Sequence, residues 1–277
     1  MRRSTVLAVA VLTLCGCAAL AQTPGEDDRQ SQGDHADHNA THTISVPQRY
    51  DVEVLEVIAH DPEAFTQGFE IADGILYEGT GLVGESSLRA TDPATGEVLD
   101  RVELPQPLFG EGITVVDDRI WQLTWRDNVA LLRDRETLAE VDRVEYPGEG
   151  WGICYDGSRL VMSDGTDQLH FRDPETFELI DSIRVTQEGQ PKRQLNELEC
   201  VDDQVFSNVW YSDDILRIDP TNGEVTGVVD ASDLLPADQQ AAADVLNGIA
   251  AIPDTDEFLV TGKHWPSTFR VRFVPSD

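Results

Sequence analysis

The stretch Gly110-Glu111-Gly112-Ile113-Thr114-Val115-Val116 runs into Asp117-Asp118 and then into Arg119-Ile120-Trp121-Gln122-Leu123-Thr124-Trp125. A small motif opens an apolar run, an Asp pair turns the chain, and a second run ends on tryptophan. Runs this short, bounded by turn residues, read as the two strands of a hairpin. The same plan recurs at Thr66-Gln67-Gly68-Phe69, Gly150-Trp151-Gly152-Ile153, Leu195-Asn196-Glu197-Leu198 and Leu246-Asn247-Gly248-Ile249. The second residues of the five motifs stand 44, 40, 45 and 51 apart. A period of forty to fifty residues with strand patterning marks the blade of a β-propeller. A helical solenoid of that period would space its apolar residues by three and four over long windows.

Turn chemistry supports the register. Asp73-Gly74, Asp156-Gly157 and Asp202-Asp203 follow the first strands, and Asp92-Pro93, Asp173-Pro174 and Asp219-Pro220 come one strand later. Aspartate and glycine suit tight turns because they tolerate positive φ or bond their own backbone. One helix signal stands out, residues 237–245, read as a short surface excursion within the longest step. The fifth repeat supplies strands over 247–252, 257–262 and 268–273, then the chain stops one strand short. Residues 50–58 read as the missing strand, so the expectation is an all-β, five-bladed propeller whose N-terminal strand completes the last blade.

In such a ring, equivalent positions converge on the axis. The column Gln67, Glu111, Trp151, Asn196 and Asn247 becomes one circle of side chains, with a second column, Trp125, Ser163, Trp210 and Lys263, nearby. Pure packing would favour similar residues in every repeat, yet the first column holds amides, an acid and an indole. Together the columns offer an aromatic-walled pocket with one carboxylate and one ammonium. Each tryptophan also has a plainer reading as packing between blades.

Ahead of the repeats, Arg2-Arg3 precede an apolar run and a cluster of small residues and cysteines, the pattern of an export signal too short to span a membrane as a helix. Leu14-Cys15-Gly16-Cys17 resembles a lipobox, which would lipidate Cys17 and anchor the protein in the cell envelope or periplasm. Ala19-Leu20-Ala21 would instead suit an ordinary signal peptidase. Residues 18–46 lack the large apolar side chains needed to offset chain entropy and read as a flexible linker, in which His35, His38 and His42 are a polar run or a transition-metal chelate. Residues 47–277 then form one all-β domain. Export permits a disulfide between Cys154 and Cys200, and the sequence leaves their pairing open.

A formal charge of −32 argues against nucleic acid and anionic lipid surfaces as partners. His60, His170 and His264 lie far apart, with no zinc-ligand spacing, nucleophile elbow, phosphate-binding glycine loop or calcium loop in the folded region. That pattern leaves acid/base chemistry without a metal, or plain binding by an exported propeller that recognises peptides or scaffolds an envelope complex.

Phe65-Thr66-Gln67-Gly68, Phe109-Gly110-Glu111-Gly112-Ile113-Thr114, Gly150-Trp151-Gly152, Leu195-Asn196-Glu197-Leu198-Glu199 and Leu246-Asn247-Gly248-Ile249-Ala250, taken in order, resemble the plant and bacterial type of glutaminyl-peptide cyclotransferase. The resemblance covers roughly residues 50–273. It implies a five-bladed propeller that turns an N-terminal glutamine of a peptide or protein into pyroglutamate and releases ammonia, with no metal or other cofactor, and a monomer is expected. By position it implies that Glu111 shuttles the proton and that Asn196 and Lys263 hold the side-chain amide and its developing negative oxygen. Phe65, Gln67, Phe109, Trp125, Trp151 and Trp210 would shape the substrate pocket.

Overall fold

The computed structural model describes residues 45–276, so Cys17, His35, His38 and His42 lie outside the described residues. Strand β1 (Gln48–Ala59) comes first. One antiparallel sheet then takes β2 (Thr66–Ala72), β3 (Ile75–Thr80), β4 (Ser87–Thr91) and β5 (Val98–Glu103) in chain order. A second takes β6 (Gly110–Val116), β7 (Arg119–Thr124), β8 (Val129–Asp134) and β9 (Glu140–Glu145). The third is β10 (Ile153–Tyr155), β11 (Leu160–Ser163), β12 (Gln168–Arg172) and β13 (Leu179–Arg184). A small ribbon, β14 (Thr186–Gln187) with β15 (Gln190–Pro191), leads to β16 (Leu195–Val201), β17 (Gln204–Val209), β18 (Asp214–Ile218) and β19 (Val225–Asp230). The chain finishes with β20 (Leu246–Ala251), β21 (Glu257–Gly262) and β22 (Ser267–Pro275).

Strand β1 pairs antiparallel with β22 from Tyr50↔Pro275 to Ala59↔Ser267 and supplies the fourth strand of the final array. Its first residues also pair in parallel with β19, from Gln48↔Gly227 to Asp51↔Asp230. This second pairing, which the repeat pattern does not contain, fuses the last two arrays into an eight-stranded sheet. It gives both β19 and β22 a hydrogen-bonded neighbour, so neither is left as an open edge.

The first strand of every array carries the repeat motif, and these inner strands touch in sequence. β2 lies against β6 and β20, β6 against β10, β10 against β16, and β16 against β20, which closes a ring. The core sits between neighbouring arrays rather than at one centre. Tyr77 and Leu88 pack on Ile113 and Ile120, Trp121 and Leu123 on Ile153 and Met162, and Val161 and Phe171 on Leu195 and Leu216. Phe206 and Ile215 meet Phe258 and Val260, and Phe69 and Leu76 meet Ala250 and Leu259. Neighbouring arrays therefore bury the sides that face one another, while the outermost strands β5, β9 and β13 stay largely exposed.

The reading of a helix at 237–245 is not met: the segment is a run of turns, and the described residues contain no α-helix. Nine residues cannot recover the cost of helix nucleation alone. Here Leu234 and Leu235 bury their side chains, and Gln240 Nε2 donates to the Leu235 carbonyl at 3.0 Å, fixing a compact loop instead. Elsewhere the turns follow the expected chemistry, with Asp73, Asp117, Asp202 and Asp203 at positive φ.

A disulfide joins Cys154 on β10 to Cys200 on β16, with 5.4 Å between their Cα atoms. It ties the third array to the fourth across a sequence separation of 46 residues. Closing a loop of that length restricts the unfolded chain by an amount worth about 4 kcal/mol in the chain-entropy model. The double variant Cys154→Ala/Cys200→Ala is expected to lose about 2–4 kcal/mol in guanidinium denaturation, while its fold near room temperature, read by circular dichroism, is retained.

Candidate active site

The ring residues reach the axis through breaks in the ladder. Register shifts fall between Thr66 and Gly68, Gly110 and Ile113, Leu195 and Leu198, and Leu246 and Ile249. Each break spans a ring residue, so a bulge turns Gln67, Glu111, Asn196 and Asn247 out of the pleat. In the third array Trp151 stands just ahead of β10 and is fixed by its own backbone. Its N–H donates to the Ser163 carbonyl at 3.1 Å, and its carbonyl accepts from Gly112 N–H at 2.8 Å. Glycine follows the ring residue wherever the next inner strand presses closest. A Cβ on Gly112 would sit 2.7 Å from the Trp151 oxygen and 2.8 Å from Gly152 Cα, leaving no room for any other residue.

One cavity of about 230 Å³ opens at this end of the ring, lined by Phe65, Gln67, Phe109, Glu111, Trp125, Trp151, Asn196, Trp210 and Lys263 together with Leu82. The nine residues to which the family resemblance gave roles thus meet in one place, while Asn247 and Ser163 of the two aligned columns stand outside the lining. Their aromatic rings form two runs: Phe65 meets Phe109 edge-on at 6.1 Å and Phe109 meets Trp125 at 5.5 Å, while Trp151 meets Trp210 edge-on at 5.3 Å. Edge-to-face pairs of this kind hold rings in place as well as burying area.

Glu111 is the buried carboxyl of the cavity. Its Oε1 accepts from Gln67 Nε2 at 2.8 Å, and Oε2 has no hydrogen-bond partner. Gln67 is held in turn by Asn247, whose Nδ2 donates to the Gln67 Oε1 at 3.3 Å and to the Thr66 carbonyl at 3.0 Å. Gln67 therefore orients the acid as well as lining the wall. Burial pushes the Glu111 carboxyl well above the usual carboxylate range, Lys263 opposes that shift, and Glu149 adds to it.

Lys263 follows β21 and is nearly buried, with its Nζ 4.7 Å from the centre of the Phe65 ring. Burial lowers its pKa, while Glu111 and Asp244 hold it up. No carboxylate lies in salt-bridge contact with it among the described residues, so its donors remain available to the cavity. Asn196 is also buried, and its backbone carbonyl accepts from Ser163 Oγ at 2.7 Å. Ser163, expected beside the pocket, faces inward instead: its Oγ bridges that carbonyl and Gly152 N–H, which donates at 2.8 Å, so it ties two arrays together and does not line the cavity.

Two neighbours escaped the sequence reading. Leu82 comes from the loop after β3, at φ 77°, outside the repeat register. Glu149 stands two residues before Trp151, the place that Phe65 and Phe109 take before Gln67 and Glu111. Extending that column by one repeat would have found it.

Residues 29–273 match the glutamine cyclotransferase family. This chain belongs to that family. It is 36% identical over 276 residues to a glutaminyl-peptide cyclotransferase of Arabidopsis thaliana, a match that covers 98% of this chain and 84% of the relative. The crystal structure of Myxococcus xanthus glutaminyl cyclase superposes with a TM-score of 0.78 at 35% identity, over 83% of this chain and all of that one.

Three further acids sit along the inner strands. Glu197 occupies the position that is glycine in the other four motifs, and its carboxylate bridges two neighbouring inner strands: Oε1 accepts from Phe69 N–H at 3.2 Å and Oε2 from Ile249 N–H at 2.9 Å. Glu199 accepts from Ala251 N–H at 2.9 Å, and Glu70 from Val115 N–H at 3.1 Å. Burial raises all three, pushing Glu70 up to about 7; repulsion from neighbouring acids adds to the rise at Glu197 and Glu199.

A carboxyl whose folded pKa is raised stabilises the fold fully below its unfolded value, near 4.3, and loses that contribution as pH rises through the folded value. Carboxylates held low, such as Glu78 beside His60 and Arg89, have already ionised in both states by then and add no slope. Thermal melts are therefore expected to show the melting temperature falling as pH rises from about 5 to about 8. Glu199→Gln, which keeps the acceptor for Ala251, should flatten that slope.

Proposed function

We propose that the protein cyclises an N-terminal glutamine of peptides or proteins to pyroglutamate with release of ammonia, and that Glu111 carries the proton without help from a metal ion. The observation that carries this reading is the unpartnered Glu111 Oε2, buried in a cavity that also receives Lys263 and Asn196. A buried oxygen without a partner costs about 1–3 kcal/mol, a cost that a site built only for packing would not retain. Family membership points to the same reaction.

The substrate α-amine has a reference pKa of about 7.7–8.0, so a useful fraction is neutral near neutral pH. Held in a folded conformer between the aromatic runs, that amine attacks the δ-carbonyl of its own side chain. A C–N bond forms, the carbonyl electrons move onto oxygen, and a five-membered ring closes; fixing this conformer removes much of the entropic barrier. Lys263 and Asn196 donate to the oxygen as it becomes negative. The attacking nitrogen passes a proton to Glu111 Oε2, and Glu111 returns one to the leaving amide nitrogen. The second C–N bond then breaks, the carbonyl re-forms, and ammonia departs. A carboxyl serves both transfers best when its pKa lies near the working pH, the direction in which burial pushes Glu111.

The same reading takes the five four-stranded arrays as blades of a five-bladed β-propeller whose axis runs through the cavity. The closed ring of inner strands and the likeness to the Myxococcus xanthus enzyme support it. It also keeps residues 1–17 as an export signal with Cys17 as lipid anchor, residues 18–46 as a linker, and a monomer in the cell envelope.

Glu111→Gln preserves the bulk and one acceptor but cannot shuttle a proton. With a Gln-headed dipeptide its ammonia release should fall by about 10²- to 10⁴-fold, with an unchanged circular dichroism spectrum. Wild-type release should persist after dialysis against a chelator. Near-normal turnover by Glu111→Gln would refute the role of Glu111, and loss on chelation that a divalent metal restores would refute the metal-free route.

A further inference from the structure

Glu149 lies behind the cavity, not in its lining. One of its oxygens, Oε2, accepts from two indoles at once, Trp125 Nε1 at 2.9 Å and Trp151 Nε1 at 3.1 Å. The other, Oε1, accepts from Arg126 Nε at 2.8 Å, and the Arg126 guanidinium lies 3.9 Å over the Trp125 ring. Those indoles belong to different arrays and to different aromatic runs. The first run, Phe65–Phe109–Trp125, and the second, Trp151–Trp210, are joined by no ring contact between Trp125 and Trp151. A single carboxylate oxygen links them.

We infer that Glu149 is a positioning residue for the proposed cyclisation: it clamps the two indole walls at the spacing that grips the substrate. An indole has only one donor, so pinning Nε1 fixes the ring's rotation as well as its place. A charged acceptor makes such bonds about twice as strong as neutral ones. Trp125, Trp151 and Arg126 hold Glu149 ionised by hydrogen bonding, against partial burial.

This inference rests on the cyclase reading, and two variants test it. Glu149→Gln keeps an oxygen for both indoles; Glu149→Leu removes it. With a Gln-headed dipeptide, KM should stay within about threefold of wild type in Glu149→Gln and rise about tenfold in Glu149→Leu, with kcat changed by less than about threefold in both. Tryptophan emission should shift in Glu149→Leu alone, a readout that needs no turnover. A wild-type KM and emission spectrum in Glu149→Leu would overturn the clamp. Absence of ammonia release by the wild-type protein would instead refute the cyclase reading and leave the emission test of the clamp standing.

Discussion

Everything at the centre of this molecule depends on how closely the inner strands can approach one another. Gly68 packs against the backbone of Gly112 and Ile113, Gly112 against Trp151 and Gly152, and Gly152 against Asn196 and Glu197. Backbone pressed on backbone leaves no space for a Cβ, so glycine is required there by exclusion rather than by turn geometry. Because that glycine comes one residue after the ring residue, the same contact that closes the ring holds the ring residue against the axis. The positions of Gln67, Glu111 and Trp151 are therefore fixed by backbone contacts more than by side-chain packing. A site built in this way needs no rearrangement to bring its groups together.

Glu197 is the exception to the glycine rule. There a side chain replaces the glycine, and its two oxygens take the N–H groups of Phe69 and Ile249 on two neighbouring inner strands. Buried donors must find acceptors, and here one carboxyl serves two strands that are far apart in sequence. The cost is an acid far from solvent, raised in pKa by that burial. Glu199 accepts in the same way from Ala251 N–H, and burial raises it too.

Repeat register made most of this legible. Because the ring period is set by inner-strand packing, aligning motifs amounts to aligning points in space, and seven of the nine residues in the two aligned columns line one cavity, joined by Phe65 and Phe109, which the family resemblance supplied. Four features were hidden for physical reasons. Buried Glu197 and Glu199 and half-buried Glu70 look like ordinary surface acids in a chain with 52 acidic residues, since sequence shows charge but not the N–H groups that satisfy it. The parallel β19/β1 pairing depends on where the outermost strands end, which no repeat encodes. The pairing of Cys154 with Cys200 needs the rotation between neighbouring arrays, and the apparent helix at 237–245 lost to loop packing around Leu234 and Leu235.

On the proposed reading, Glu111 and its surroundings form one electrostatic problem. A shuttle must give up a proton about as easily as it takes one, and a carboxyl in water is far too acidic for that. Burial raises the Glu111 carboxyl in a cavity walled by indoles and phenylalanines, and Lys263 pulls it back. Burial in turn lowers Lys263, which Glu111 and Asp244 hold up. The two groups act on each other without a salt-bridge contact among the described residues, so in the proposed reaction both stay free to meet a substrate, one as proton acceptor and the other as oxyanion donor. The aromatic walls give the pocket its shape, and this unclosed pair is what the proposed chemistry needs beyond binding.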